Sequence, residues 1–197
     1  LRLIEKFAFT NSSIEEISVP SKVIKIGEKC FIDCINLKKV NFYENSIENE
    51  AFANTKIEDL YIPSNVSYLT KDCFNKALNI KEINISKNNK FFISYNKELI
   101  IQKENLKYVL IYAVPYLVKI PPFVNEIAPY IFFKSNLKRI IFLENSELQI
   151  IGEWSFAHSK IEEILIPSHV TQIQENAFES CKNLNKISLP DSISVIP

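Results

Sequence analysis

The 197-residue chain contains no methionine, two glycines, one tryptophan, two histidines and four cysteines. The scarcity of glycine and histidine removes classes of function. Two glycines cannot supply a glycine-rich loop that cradles a phosphate. The 23 basic and 23 acidic residues cancel, so the basic footprint of a nucleic-acid binder and the attraction to an anionic membrane surface are both missing. No run of about 18 apolar residues occurs, so membrane insertion by this segment is not expected. His158 and His169 stand in no catalytic motif. No catalytic residue, cofactor or metal ligand is therefore expected, and the chain reads as a non-enzyme.

What the sequence has in abundance is repetition. A unit of apolar-x-x-apolar-x-apolar-Pro followed by V-x-x-I-x-x-x-A-F-x-x-C recurs at nearly constant spacing. Registered on the first apolar position, the repeats begin at Ile14, Leu37, Ile57, Ile80, Pro115, Leu137, Ile161 and Leu184, with intervals of 23, 20, 23, 35, 22, 24 and 23 residues. Each predicts a short strand with its apolar side inward, as in Ile57, Leu60 and Ile62. Proline closes many of them, at Pro20, Pro63, Pro121, Pro167 and Pro190, where a missing backbone donor costs no ladder bond. Two further inward positions follow, such as Val23 with Ile26 and Val170 with Ile173. A small residue and a phenylalanine come next, so Phe9, Phe31, Phe52, Phe74, Phe132, Phe156 and Phe178 are expected to stack as one ladder. No single repeat buries its own apolar positions, and stacking the repeats into a solenoid does.

The order of strand, proline, Val-x-x-Ile, Ala-Phe and Cys resembles the BspA-like leucine-rich repeats of surface proteins. ISVPSKVIKIGEKCFIDCINL at 17–37 and ILIPSHVTQIQENAFESCKNL at 164–184 carry most of the pattern at once. The usual Ile-Gly corner survives only at Ile26 with Gly27 and at Ile151 with Gly152. The resemblance implies an α/β leucine-rich repeat solenoid with a parallel β-sheet on the concave face and short helical or 3-10 turns on the convex face. It also implies a non-catalytic adhesin-like ectodomain at the cell surface that binds host, matrix or other surface proteins. An intracellular leucine-rich scaffold is the alternative, since free cysteines and zero net charge are as ordinary in the cytoplasm.

Residues 1–197 are read as one repeat domain, interrupted at 86–115 by an irregular unit. There FFISYNKELIIQKENLKYVLIYAVP replaces the Ala-Phe turn, and strands at about 97–102 and 106–112 joined through Lys103, Glu104 and Asn105 are expected to form a hairpin. The hairpin reads as a structural interruption, with a binding loop as the other reading. Both ends cut through a repeat without a polar cap, so the chain is expected to be an excerpt of a longer array. Oligomeric state is not legible.

Cys30 and Cys73 replace the small residue of the Ala-Phe step two coils apart, while Cys34 and Cys181 occupy the repeat's own Cys position many coils apart. Buried free thiols are expected rather than disulfides or a metal site. Three N-x-S sequons, at Asn11, Asn65 and Asn84, matter only if the chain is secreted.

The third and fifth strand positions point away from the core. At the two positions after each register residue, charges mostly alternate between neighbours, from Glu15 and Glu16 to Lys38 and Lys39 to Glu58 and Asp59, and again from Lys138 and Arg139 to Glu162 and Glu163. This sets register and solubility, or else forms a recognition strip. Four outward apolar residues, Tyr61, Leu117, Ile141 and Leu165, are the candidate protein contacts. Scattered aliphatics, or cover from the hairpin, remain the alternative for them.

Overall fold

The computed structural model of the chain describes residues 3–43, 46–70, 72–114, 118–193 and 195. It divides into two compact units, Leu1–Ile100 and Ile101–Pro197. Leu1, Pro115, Leu117 and Pro197 lie outside the described residues.

In the first unit each coil contributes two short strands. One set comprises Glu16–Ser18 paired with Lys39–Asn41 and Asp59–Ile62 paired with Glu82–Ile85, all parallel. The other is a four-stranded parallel sheet of two-residue strands, Leu3–Ile4, Lys25–Ile26, Ser46–Ile47 and Tyr68–Leu69. Its register sets Ile4 beside Ile26, Ile26 beside Ile47 and Ile47 beside Leu69, so each coil lays one buried aliphatic on the next.

The second unit repeats this arrangement. Val118–Ile120 pairs with Ile140–Phe142 and Glu163–Leu165 with Lys186–Ser188, while Glu126–Ile127, Ile150–Ile151 and Gln172–Ile173 form the other parallel row. Lys107–Ala113 leads that row, with Val109 beside Glu126 and Leu110 beside Ile127.

The prolines act at the corner between the two strand sets. The carbonyls of Pro20, Pro63, Pro121 and Pro167 accept from the N–H groups of Val23, Val66, Val124 and Val170 at 2.9, 3.4, 3.2 and 3.1 Å. A residue that ends sheet pairing thus also closes the turn that redirects the chain.

The turns around the phenylalanines differ from the helical or 3-10 form expected of them. No helix occurs among the described residues. Instead, left-handed residues recur four apart: Phe7 and Asn11, Lys29 and Asp33, Glu50 and Asn54, Tyr130 and Lys134, Trp154 and His158, Asn176 and Ser180, with φ between 51 and 64°. Such residues break an α-helix, and the hydrogen bonds show what replaces it. The N–H groups of Trp154, Phe156 and His158 reach the next coil at Glu175, Ala177 and Glu179 (3.2, 2.9 and 2.8 Å). Those of Ser155, Ala157 and Ser159 close back onto Gly152, Trp154 and Phe156 (3.2, 3.2 and 3.0 Å). Alternate N–H groups are therefore shared between coil and neighbour, so every backbone donor in this stretch is satisfied without a helix.

Inside the turns lie the phenylalanine stacks. Phe9, Phe31, Phe52 and Phe74 follow one another at 5.1, 5.2 and 5.8 Å in the first unit. Phe132, Phe156 and Phe178 do so at 5.0 and 5.2 Å in the second.

The hairpin strands run over Leu99–Glu104 and Lys107–Ala113, with Asn105 and Leu106 between them. The connection is thus two residues rather than the three expected from Lys103 to Asn105, since the first strand runs on through Glu104, and Asn105 takes φ 48°, a conformation asparagine tolerates.

Gly152 shows how closely coils approach. A Cβ there would meet Ile127 O at 2.5 Å, Pro129 N at 2.7 Å and Ala128 C at 2.8 Å, all backbone atoms that cannot rotate aside. Gly152→Ala is expected to destabilise the chain by ~1–3 kcal/mol, measured by urea unfolding. An unchanged midpoint would show that the coils separate at no cost.

Candidate protein-binding surface

Alternation along the outer strands places every second side chain in solvent. In the second unit Ile141 and Leu165 are 41% and 64% exposed. A parallel bridge between Arg139 and Glu163 sets them side by side on adjacent strands. Lys119 lies beside Ile141 in register, and Ser188 beside Leu165. Ion pairs border the two aliphatics, Arg139 with Glu163 at 3.2 Å and Lys138 with Glu162 at 3.1 Å. The apolar pair is therefore framed by charges that hold one another.

Tyr61 belongs to the first unit, 54% exposed, with Asn84 beside it in register. It lines a shallow depression with Lys38, Lys39, Val40, Asn41, Glu58 and Asp59. Leu117, the remaining candidate, lies outside the described residues.

The charge stripe pairs largely across coils. Lys39 meets Glu16 at 3.1 Å, Lys81 meets Glu58 at 2.6 Å and Lys97 meets Glu82 at 3.0 Å. The lysine hydrogen bonds hold the carboxyls of Glu58 and Glu82 below the usual range. One step breaks the alternation, since register puts Asp59 beside Glu82. Lys97, reaching in from the turn of the irregular unit, supplies the missing cation to Glu82.

The cysteines are free, with Cys30, Cys34 and Cys73 buried and Cys181 half-buried. Cys34 donates to Phe9 O at 3.0 Å and Cys181 to Phe156 O at 3.1 Å, the same bond at the same repeat position in the two units. Burial pushes the Cys30 thiol up to about 12 and raises those of Cys73 and Cys181. A thiol so held is a packing group and a weak nucleophile.

Sequence reasoning passed over a cluster on the turn side of the second unit. Tyr130, Phe133, Trp154 and His158 form a continuous set of ring contacts there. Aligning the repeats on the Ala-Phe step would have found part of it, because Tyr130 and Trp154 occupy the same position of successive coils.

Stacked coils with two parallel strand rows and an outward face of mixed charge and aliphatics define a leucine-rich repeat solenoid, a class that works by presenting an extended surface. The chain matches the family described as BspA type leucine rich repeat region in six copies, over residues 2–113 and 116–197, and it belongs to that family. Among solved structures it is similar to the pneumococcal vaccine antigen PcpA, with 24% identity, a TM-score of 0.77, and coverage of 98% of this chain and 55% of that one. It is also similar to a leucine rich cell surface protein from Faecalibacterium prausnitzii A2-165, with 21% identity, a TM-score of 0.66, and coverage of 98% and 58%. A leucine-rich repeat protein from Eubacterium ventriosum ATCC 27560 shares 18% identity with a TM-score of 0.54, over 91% of this chain and 68% of that one. These likenesses are of fold, and the chain spans a little over half the length of the first two. No curated protein matches it in sequence. Among the described residues, no helix is long and apolar enough to cross a membrane.

Proposed function

We propose that the chain is a non-catalytic protein-binding segment of a cell-surface, adhesin-like protein, and that Ile141 and Leu165 on the outer strands of the second unit are central to its contact surface. The observation that carries this reading is the pairing of two solvent-facing aliphatics inside a frame of satisfied ion pairs. Apolar area of that kind has no use in the fold, and contact with a protein would remove it from water. Tyr61 is a second contact point in the first unit, and Leu117 is a further candidate by its place in the sequence repeat. The surface location is supported by family membership and by the name of the Faecalibacterium protein. An intracellular scaffold is the competing reading, favoured by four cysteines that form no disulfide.

Two measurements test this. Serum raised against the chain should label intact source cells and lose that label after surface proteolysis; labelling only after permeabilisation overturns the surface reading. The double variant Ile141→Glu and Leu165→Glu should then weaken binding to the protein ligand recovered from host or matrix by tenfold or more, a change of ~1.4 kcal/mol. Its unfolding midpoint should match the parent. Unchanged binding, or loss of fold together with binding, would reject the assignment of this face.

A further inference from the structure

The aromatic cluster on the turn side of the second unit is unlike anything the repeat requires. Tyr130 and Trp154 stack at 6.4 Å with planes 3° apart, and Trp154 and His158 stack at 6.4 Å and 17°. Phe133 stands edge-on to Tyr130, Trp154 and His158 at 5.7, 6.2 and 5.6 Å. Tyr130, Trp154 and His158 hold φ of 64, 55 and 58°, where a bulky side chain is strained. The same left-handed turn positions elsewhere carry Phe7, Lys29, Glu50 and Asn176, or Asn11, Asp33, Asn54, Lys134 and Ser180, so only here do aromatic rings occupy them in successive coils. The rings are also not core, since Tyr130 is 51% exposed.

Two turn rings, Phe7 and the cluster's own Phe133, each carry the lysine adjacent to them in the chain. Lys6 sits over Phe7 at 4.9 Å, and Lys134 sits over Phe133 at 5.0 Å. Among the described residues no cation lies over Tyr130 or Trp154, whose electron-rich faces bind cations better than phenylalanine does. One carboxylate borders the cluster, with Glu179 Oε1 4.0 Å from Nε2 of His158, the ring that stacks on Trp154. An exposed phenol and a half-buried indole with a carboxylate at the edge of their cluster complement a planar cation, which a guanidinium matches in shape and charge.

We propose that Tyr130 and Trp154 form a docking site for an arginine side chain of a protein partner, with Glu179 accepting its N–H groups. The site is separate from the strand-face contact. Trp154 is the only tryptophan, so its fluorescence reports on this site alone. The probe is N-acetyl-arginine amide, compared with N-acetyl-citrulline amide, which has nearly the same shape without the charge, and with methyl glucopyranoside, which would stack on the rings as a sugar.

A saturable change in Trp154 emission is expected with the arginine compound alone. Tyr130→Asn and Glu179→Gln should each weaken it roughly two- to fivefold, the range of an exposed cation–π contact. Tyr130→Asn keeps the left-handed turn, because Asn176 holds it at the same repeat position. Glu179→Gln is an exposed change that leaves the coil intact and carries the test should Tyr130→Asn fail to fold. No saturable response to the arginine compound, an equal response to the citrulline compound, or a response to the glucoside instead overturns the proposal.

Discussion

Phe156→Ala is expected to destabilise the protein by about 3–5 kcal/mol, the usual cost of truncating a buried phenylalanine. Phe156 is fully buried and lies between Phe132 at 5.0 Å and Phe178 at 5.2 Å, so its removal opens a cavity against two coils at once. In a solenoid stability is close to a sum of coils and the interfaces between them, and this one ring belongs to two interfaces. Relaxation will not fill the space, because the backbone on either side is fixed by bonds from Phe132 N to Ser155 O (2.7 Å) and from Phe156 N to Ala177 O (2.9 Å). Phe178→Ala is the control. Its ring is half-buried and stacks on Phe156 from one side, so the expected loss is ~1–2 kcal/mol. Urea unfolding monitored by circular dichroism compares the two. Equal losses would mean that the stack is not what joins the coils.

The phenylalanine stacks were legible because spacing alone brings Phe132, Phe156 and Phe178 to one position of successive coils. The outer strands were legible for a similar reason. Alternation, ended by proline, has one physical reading. The turns were not, since a small residue, a phenylalanine and a later small residue at three- and four-residue spacing fit a helical turn as well as they fit the observed one. Which forms depends on where N–H groups of Trp154, Phe156 and His158 find acceptors, and those acceptors are carbonyls of the following coil. The residue types at the left-handed positions give little warning. Lysine, glutamate, tyrosine and tryptophan occupy them as well as asparagine. Of the four candidate contacts, the exposure of Tyr61, Ile141 and Leu165 followed from strand alternation, and the adjacency of Ile141 to Leu165 from repeat register. The aromatic cluster escaped because Phe133 and His158 enter it from two further columns of the repeat, apart from that of Tyr130 and Trp154, and only the folded turn brings the three columns together.

Asn89→Leu is expected to cost about as much as losing a core phenylalanine, although asparagine is an ordinary loop residue by sequence. Asn89 is 3% exposed and uses its whole amide. Its Nδ2 donates to Pro63 O at 2.7 Å and to Val66 O at 3.0 Å. Its Oδ1 accepts from Phe91 N and Phe92 N, both at 2.8 Å. In the first unit it thus ties the proline corner of one coil to the start of the strand Phe92–Tyr95 in the irregular unit, where the ordinary repeat has its Val-x-x-Ile step. A leucine fills much of the same volume and satisfies none of the four partners. The Val66 O and Phe92 N bonds are buried, and each group stranded there costs about 1–3 kcal/mol, while the partners nearer the surface recover water. A loss of ~3–5 kcal/mol follows. Asn89→Asp separates polarity from volume: its carboxylate keeps the two acceptor bonds but faces two carbonyl oxygens. Burial and those oxygens outweigh the two N–H bonds, which lower its folded pKa, and raise it above the unfolded value of about 3.9, so the folded state binds the proton more tightly. Stability of that variant is then greatest at low pH and falls as pH rises through the raised folded pKa, with a larger deficit against the parent near pH ~7 than near pH ~4. A deficit independent of pH, or Asn89→Leu as stable as the parent, would show that the amide is not what closes this coil.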